Sequence, residues 1–353
     1  MKENLLVLGI ETSCDETAVS VVSDGRKILS NVIASQIEVH RLYGGVVPEI
    51  AGRNHIQVID KVTSAALREA GVGLKDIDAV AVTYGAGLVG ALLVGVSFAK
   101  ALSQAAGKPL YAVNHIEGHI CANYLSHKDL YPPYICVLAS GGHTAVVRVD
   151  DFDEICVLCS TIDDAAGEAF DKVARVLGLP YPGGVEIDRL AAHGEVKYPF
   201  HSVVAQNGNL SYSGLKTGVM NFLNSAMQKG ARIMRKEEAG ENDIALEDMC
   251  ASFNFAAVDG LMKRAAEELV KSGLGKIAVA GGVGANSYLR ERAVQLEKEG
   301  YRVYLPEKAL CTDNGAMIAS NGYFQIYKGR TSAELSLNAM PTLKLRGERP
   351  KSR

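Results

Sequence analysis

The spacing of apolar positions changes several times along the chain, and each change marks an element. Residues 5–10, 18–23 and 27–34 are rich in Val, Ile and Leu. The polar turn 11–16 and Asp24-Gly25 separate them, which predicts three strands in a meander. From 48 to 70 the apolar residues Ile50, Ile56, Ile59, Val62 and Ala66 fall at helical spacing, and Gly71 ends the pattern. A buried strand is expected over 79–84. The glycine turn Gly85-Ala86-Gly87, with Gly90, then leads into an apolar run to Ala106 that predicts a buried helix. Residues 109–114 supply one more strand, which delivers His115.

The second half of the chain repeats this order. Strands are expected over 134–140, 144–149 and 155–160, with the turn Ser140-Gly141-Gly142-His143 between the first two. A strand at 276–280 runs into Gly281–Asn286 and an amphipathic helix to Glu299, followed by a closing strand at 301–305 and a closing helix at 313–327. Residues 10–22 (IETSCDETAVSVV) align with 139–149 (ASGGHTAVVRV), and Thr17-Ala18-Val19 matches Thr144-Ala145-Val146. The chain therefore reads as an internal duplication. The first half covers 1–131, with 302–345 packing back at the interface. The second covers 132–301 and carries a mostly helical insertion at about 161–275, and 346–353 is a basic tail.

Two halves of this design, each with a small-residue turn in its first hairpin, are the layout of the actin-like ATPase fold shared by sugar kinases and Hsp70. The class is α/β, with duplicated ribonuclease-H-like halves. In that fold small residues let backbone N–H groups approach nucleotide phosphates closely. Here Thr12-Ser13-Cys14 and Ser140-Gly141-Gly142 are the candidate turns, and Gly281–Asn286 would approach the adenosine.

Composition narrows the class. With 353 residues, 48 % of them hydrophobic and 22 % charged, the chain can bury one or two cores. The N-terminal apolar run is broken by Glu11 and Asp15, so no signal peptide is read there, and no unbroken apolar run is long enough to span a bilayer. Seven scattered cysteines suit reduced thiols in a cytoplasmic protein. Cys156 and Cys159 form a lone C-x2-C inside a strand-like run and read as buried strand. A net charge of −3 argues against a surface that is wholly a nucleic-acid footprint. The local basic runs 229–236 (KGARIMRK) and 344–353 (KLRGERPKSR) read as solvated charge.

The one metal-ligand spacing that stands out is His115 and His119. On a helix, positions i and i+4 share a face, so two imidazoles could reach one divalent cation while the remaining ligands come from elsewhere. A pair of polar residues on an exposed helix start would give the same pattern.

Several stretches, in one order along nearly the whole chain, resemble a single family. They are 9–22 (GIETSCDETAVSVV), 46–55 (VVPEIAGRNH), 114–119 (NHIEGH), 140–144 (SGGHT), 165–179 (AAGEAFDKVARVLGL), 212–217 (YSGLKT) and Asp313-Asn314-Gly315. The resemblance is to the tRNA N6-adenosine threonylcarbamoyltransferases, once called glycoproteases or O-sialoglycoprotein endopeptidases, and Ser-Gly-Gly-His-Thr is similar to the bacterial branch. It implies transfer of a threonylcarbamoyl group from threonylcarbamoyl-AMP to N6 of the adenosine just 3′ of the anticodon, in tRNAs reading codons that begin with A, with release of AMP.

Residue by residue, the resemblance implies His115, His119 and Asp313 as ligands of one divalent metal, iron or zinc. It also implies Leu138, Ala139, Ser140, Gly141, Gly142, Asp171, Gly184, Asp188 and Asn286 as positions that hold the acyl adenylate, where other adenine nucleotides, with Mg, could also sit. The implied partners are tRNA, a paralogous protein of the same fold, a small P-loop ATPase and a separate enzyme that makes the adenylate. A membrane is not expected among them.

An acyl adenylate is already activated, so the reaction asks chiefly for positioning and charge stabilisation. A two-His, one-Asp site leaves open positions, at which a metal could grip the substrate's carboxylate or carbamoyl oxygen and polarise its carbonyl. Asp171 is expected near the start of a helix, where favourable helix-dipole placement is the competing account. Asp188 and Asn286 have helix capping as theirs. Lys216, Asp15 and Glu16 are further candidates that surface salt links would explain equally. No residue is assigned as general base.

Two other functions compete. A zinc peptidase needs H-E-x-x-H, whereas Glu117 stands two residues after His115 and points to a different side of a helix. A sugar kinase or actin-like ATPase would use the same turns, but it needs Mg2+ and a carboxylate base and has no use for a histidine pair.

Overall fold

The computed structural model describes residues 3–345. The elements run in chain order as β1 (Leu6–Glu11), β2 (Glu16–Ser23), β3 (Lys27–Ser35), α1 (Ile37–Arg41), α2 (Pro48–Glu69), β4 (Ala79–Gly85), α3 (Val89–Ala106), β5 (Leu110–Asn114) and α4 (His115–Ser126). The second half continues with β6 (Tyr134–Ala139), β7 (Thr144–Asp151), β8 (Glu154–Ser160), α5 (Ala166–Val176), α6 (Gly183–Ala191), α7 (Ser213–Gln228), β9 (Ile233–Met234), β10 (Ile244–Ala245) and α8 (Leu246–Ser272). It closes with β11 (Lys276–Ala280), α9 (Ser287–Gln295), β12 (Arg302–Tyr304), α10 (Lys308–Cys311) and α11 (Gly315–Tyr327).

The strands form two five-stranded sheets in the orders β3-β2-β1-β4-β5 and β12-β11-β6-β7-β8. In the first, β1–β2 and β2–β3 are antiparallel while β1–β4 and β4–β5 are parallel. The second repeats that pattern with β6, β7, β8, β11 and β12. The fold is thus α/β with two mixed sheets of identical topology, as the repeated strand pattern predicts.

Both sheets are buried on both faces, which is why their central strands read as nearly continuous apolar runs. Alternation along β1 sends Leu8 and Ile10 into a core with Ile59 and Val62 of α2 and Val96 of α3, while Val7 joins the opposite face. Along β6, Ile135 and Val137 face a core built with α5, α7 and α8, while Tyr134, Cys136 and Leu138 face the other way. The core between the sheets holds Ile116 and Ile120 of α4 together with Met317, Ile318 and Phe324 of α11. The helix ending each half is therefore placed between the two sheets.

Helix α8 links β8 to β11 as α2 links β3 to β4, so residues 246–272 of the expected insertion hold the position of a shared crossover helix. Strand β12, at the start of the segment expected to pack back on the first half, pairs with β11. From there α11 reaches across to pack against β1, β2 and β4. The amphipathic helix expected to reach Glu299 ends at Gln295 and continues as a 3-10 turn over Leu296–Glu299. Among the described residues, α3 is long and apolar enough to cross a membrane by length and composition, and one face of it packs on α2 and β4.

The docking of α11 depends on two glycines. A Cβ on Gly9 would lie 2.2 Å from the Gly315 carbonyl oxygen and 2.4 Å from the Ala319 nitrogen, and a Cβ on Gly315 would lie 2.6 Å from the Ser20 nitrogen. Those neighbours are backbone and cannot turn aside as a side chain can. Gly9→Ala is expected to lower unfolding free energy by about 3 kcal/mol, the upper part of the usual overpacking range, in urea unfolding followed by circular dichroism. A change below about 0.5 kcal/mol would mean that α11 is not held this tightly.

Candidate functional site

Strand β5 ends at Asn114, whose side chain accepts the Ile116 backbone N–H at 2.9 Å and so caps α4. His115 is the first helical residue and His119 lies one turn on, with ring centroids 4.6 Å apart. The second half repeats the device. Asn314 caps α11 by accepting the Met317 N–H at 2.9 Å, and its amide donates to the Thr312 carbonyl at 2.8 Å. Asp313, expected to begin that helix, stands one residue before the cap, where its carboxylate is free to turn toward α4.

The Asp313 Oδ1 atom is 3.5 Å from His115 Nε2 and 3.3 Å from His119 Nε2. The ligand atoms of the three residues all lie within 4.8 Å of one another. The His119 side chain is 2 % exposed and Asp313 20 %, so the group is open on the carboxylate side.

Strong fields act on this group. Burial alone would lower the His115 pKa, but the Asp313 and Glu11 carboxylates outweigh it and raise it to about 9. Burial would raise Asp313, and the two histidines outweigh that, lowering it to about 2. Neither ring nitrogen of His119 makes a hydrogen bond; Nε2 is near Asp313 but out of line. A buried imidazole without hydrogen bonds is costly in a metal-free protein and natural for a ligand. The donor set of two imidazoles and one carboxylate suits zinc or ferrous iron.

Both hairpin turns lie close enough to feel the group. Ser13 Oγ is 3.1 Å from His115 Nδ1. His143 of the second turn has its pKa lowered to about 4 by burial and by the charge on His115 and His119. Burial, Asp15 and Asp313 raise Glu16 to about 9. Sequence reasoning passed over Glu11, which it read only as the residue that breaks the first apolar run. Its carboxylate is wholly buried and lies 2.9 Å from His115 Nδ1. A charged residue directly after an apolar strand and before a small-residue turn was the available signal.

The other expected site residues all lie in the second half. Leu138 and Ala139 are fully buried at the end of β6; both pair with β7, and Leu138 also pairs with β11. Gly141 and Gly142 are exposed, and a Cβ on either would meet nothing within 4 Å. Ser140 is buried, and its carbonyl accepts the Gly167 N–H at 3.2 Å, which seats the start of α5 on the turn. Gly281 has φ +89°, and a Cβ there would lie 2.4 Å from the Ala139 carbonyl, so glycine is required on two counts.

Asp171 lies in the middle of α5 rather than near its start, because the helix begins at Ala166. Its Oδ1 accepts the Gly183 N–H at 2.7 Å, so it caps α6, and burial raises its pKa against that bond and a second from Gly184. Gly184 is the second residue of α6. Asp188 accepts the Ser287 N–H at 3.0 Å and the Ser287 hydroxyl at 2.8 Å, at the first residue of α9. Asn286 caps the same helix through Leu289 N–H at 3.0 Å and donates to Asn254 Oδ1 at 2.9 Å. Thus Asp171, Asp188 and Asn286 each hold a helix N-terminus.

Lys216 is paired with Asp164 at 3.2 Å, the surface link expected as its alternative. Asp15 is buried and receives the Tyr181 hydroxyl at 3.4 Å from the other half, while Glu16 accepts from Ser35 Oγ at 3.0 Å. In the run 229–236, Arg232 pairs with Asp243, Arg235 with Glu247, and Lys236 with Glu195 and Asp248. That leaves little free positive charge there. Cys156 and Cys159 are free thiols in β8. The tail 346–353 lies outside the described residues.

Comparison with known proteins gives consistent matches. The sequence model of the family described as tRNA N6-adenosine threonylcarbamoyltransferase matches residues 27–320. A protein of that name from Clostridium botulinum (strain 657 / Type Ba4) is 51 % identical over 353 residues, covering 99 % of this chain and 100 % of the relative. Among solved structures, HypF of T. kodakarensis superposes with a TM-score of 0.60 at 14 % identity, over 93 % of this chain and 48 % of that one. Component A of (R)-2-hydroxyglutaryl-CoA dehydratase from Acidaminococcus fermentans gives 0.51 at 14 % identity, over 92 % and 99 %. At such identities the structural matches bear on the fold alone.

The helix-capping contacts predict a stability effect separable from any binding role. Asp188→Ala is expected to lower stability by about 1–2 kcal/mol, and Asp188→Asn, which keeps an acceptor for Ser287, by less than half of that. Thermal and urea unfolding of the two variants measure it; equal losses would show that the negative charge, and not the acceptor, matters.

Proposed function

The chain belongs to the tRNA N6-adenosine threonylcarbamoyltransferase family, and from that membership we propose that it moves the threonylcarbamoyl group of threonylcarbamoyl-AMP onto N6 of the adenosine just 3′ of the anticodon. The tRNAs are those that read codons beginning with A, and AMP is released. It is a transferase that acts on tRNA. The observation that carries the finer reading is the convergence of His115, His119 and Asp313 from the two halves. A kinase on this fold would need a carboxylate base and Mg2+ on phosphates, not two imidazoles against one carboxylate. A zinc peptidase would need its glutamate directly after the first histidine, where this chain has Ile116.

We assign His115, His119 and Asp313 as ligands of one divalent metal, iron or zinc. When bound, such an ion supplies Lewis acidity toward the oxygen of an acyl donor. The chain's own residues do the rest. The exposed Gly141-Gly142 turn offers backbone N–H groups to a phosphate without side-chain obstruction. The N-termini of α5, α6 and α9 are held by Ser140, Asp171, Asp188 and Asn286, and the partial positive charge of a helix start suits an adenylate's phosphate. Because the donor is already activated, positioning and charge stabilisation of this kind are what the transfer requires.

The proposed partners beyond tRNA are a paralogous protein of the same fold, a small P-loop ATPase and an upstream enzyme that forms the adenylate. A net charge of −3 fits a tRNA surface shared among several chains.

Reconstitution with threonylcarbamoyl-AMP, tRNA and these partners tests the reading by scoring the modified adenosine. His119→Ala is expected to reduce the rate by about a hundredfold or more, the scale of removing one preorganised charge-stabilising group. Product formed at the wild-type rate would refute the metal assignment.

A further inference from the structure

Glu11 ends β1, and the contacts of its buried carboxylate lead to three different parts of the site. Oε2 accepts the Thr83 hydroxyl at 2.6 Å, from the end of β4, and lies 2.9 Å from His115 Nδ1. Oε1 accepts the backbone N–H of Ser13, inside the first hairpin turn. That turn is held elsewhere too. The Ser13 carbonyl accepts the Leu88 N–H at 2.8 Å, and His55 Nε2 lies 2.9 Å from the Cys14 carbonyl, with Nδ1 2.7 Å from Thr17 Oγ1.

An ionised carboxylate is an acceptor only, so a hydrogen on His115 Nδ1 points at Glu11 and the ring's other nitrogen, Nε2, faces Asp313. This is the arrangement by which a second carboxylate fixes the tautomer and orientation of a ligating histidine. The same carboxylate grips Thr12-Ser13-Cys14, the other of the two turns that the sequence marks as candidates to approach a phosphate. Moving Ser13 toward a bound anion therefore pulls on Glu11, and through it on the imidazole.

Building on the metal assignment above, we propose that Glu11 is a positioning residue that couples the metal centre to the first hairpin turn, so that a cation at His115 Nε2 and a nucleotide at residues 12–14 strengthen each other's binding. Thr83 holds the carboxylate in place for both tasks. Coupling of this kind is reciprocal: the factor by which one ligand tightens the other must be the same in both directions.

The test uses the full chain, with zinc affinity from competition against a chromophoric chelator and AMP affinity from calorimetry, each with and without the other ligand. For the wild type, zinc is expected to tighten AMP severalfold, and AMP to tighten zinc by the same factor. Glu11→Gln is expected to weaken zinc by about ten- to a hundredfold, the usual cost of losing an outer partner of a ligating histidine, and to bring the coupling factor close to one. Thr83→Val is the milder variant, read in the same way if Glu11→Gln does not fold, with an expected loss of about threefold or more at an unchanged circular dichroism spectrum. His119→Ala separates the two ideas. Zinc binding that is absent in the wild type, or unaltered in His119→Ala, defeats the metal assignment. Zinc binding lost in His119→Ala but within twofold of wild type in Glu11→Gln, or in Thr83→Val should Glu11→Gln not fold, defeats the role of Glu11 alone. So does weakened zinc binding with the coupling factor intact.

Discussion

Helices α4 and α11 share the space between two sheets, and the distance between them determines whether two imidazoles and a carboxylate can meet. On one side α11 lies backbone against backbone on β1 and β2, through Gly9 and Gly315. On the other it meets α4, where a Cβ on Gly118 would come within 2.8 Å of Ile318 Cδ1. Small residues at these contacts leave α11 little freedom to shift along or away from its neighbours. Its N-terminal Asn314 cap then presents Asp313 at a defined place, opposite the equally capped start of α4.

The charges gathered at that place explain why the site is built from buried and not exposed groups. Asp313 and Glu11 flank His115 on its two nitrogens, at 3.5 Å and 2.9 Å. Burial opposes ionisation of all three, and the attraction between the imidazole side and the two carboxylates overcomes it. An arrangement of this sort holds fixed dipoles and charges without solvent reorganisation, which is what a transfer from an activated donor benefits from. His119, buried and without a hydrogen bond, is the member whose placement makes least sense for stability and most sense for ligation.

On the side of the second half, the carboxylates that resemblance assigns to the substrate have structural duties of their own. Asp171 holds the start of α6 and Asp188 the start of α9, so the functional and the capping accounts of these residues are compatible. A polar side chain can end one helix and still leave an oxygen for a ligand. Tyr181, just before α6, is tied to the first half through its hydroxyl to Asp15 and its carbonyl to Arg41.

Much of this was legible from residue order. Apolar periodicity located the strands and the main helices to within a few residues, because sheets buried on both faces and helices buried on one leave distinct patterns. The repeat of Thr-Ala-Val after each turn revealed the duplication, and i,i+4 spacing was enough to put His115 and His119 on one helical face. The sequence could not show that α8 belongs to the shared plan, since a long helix after a stretch of insertion reads like more insertion. Nor could it show that Asp171 is mid-helix, because the start of α5 is set by contact with Thr144 and Ser140, far away in the chain. The one local signal of Glu11, a charge between an apolar strand and a small-residue turn, marked the position as unusual without saying what it touches. A carboxylate at a strand end acquires its role only when β4 and α4 are folded around it, and that is a matter of distances across more than a hundred residues of chain.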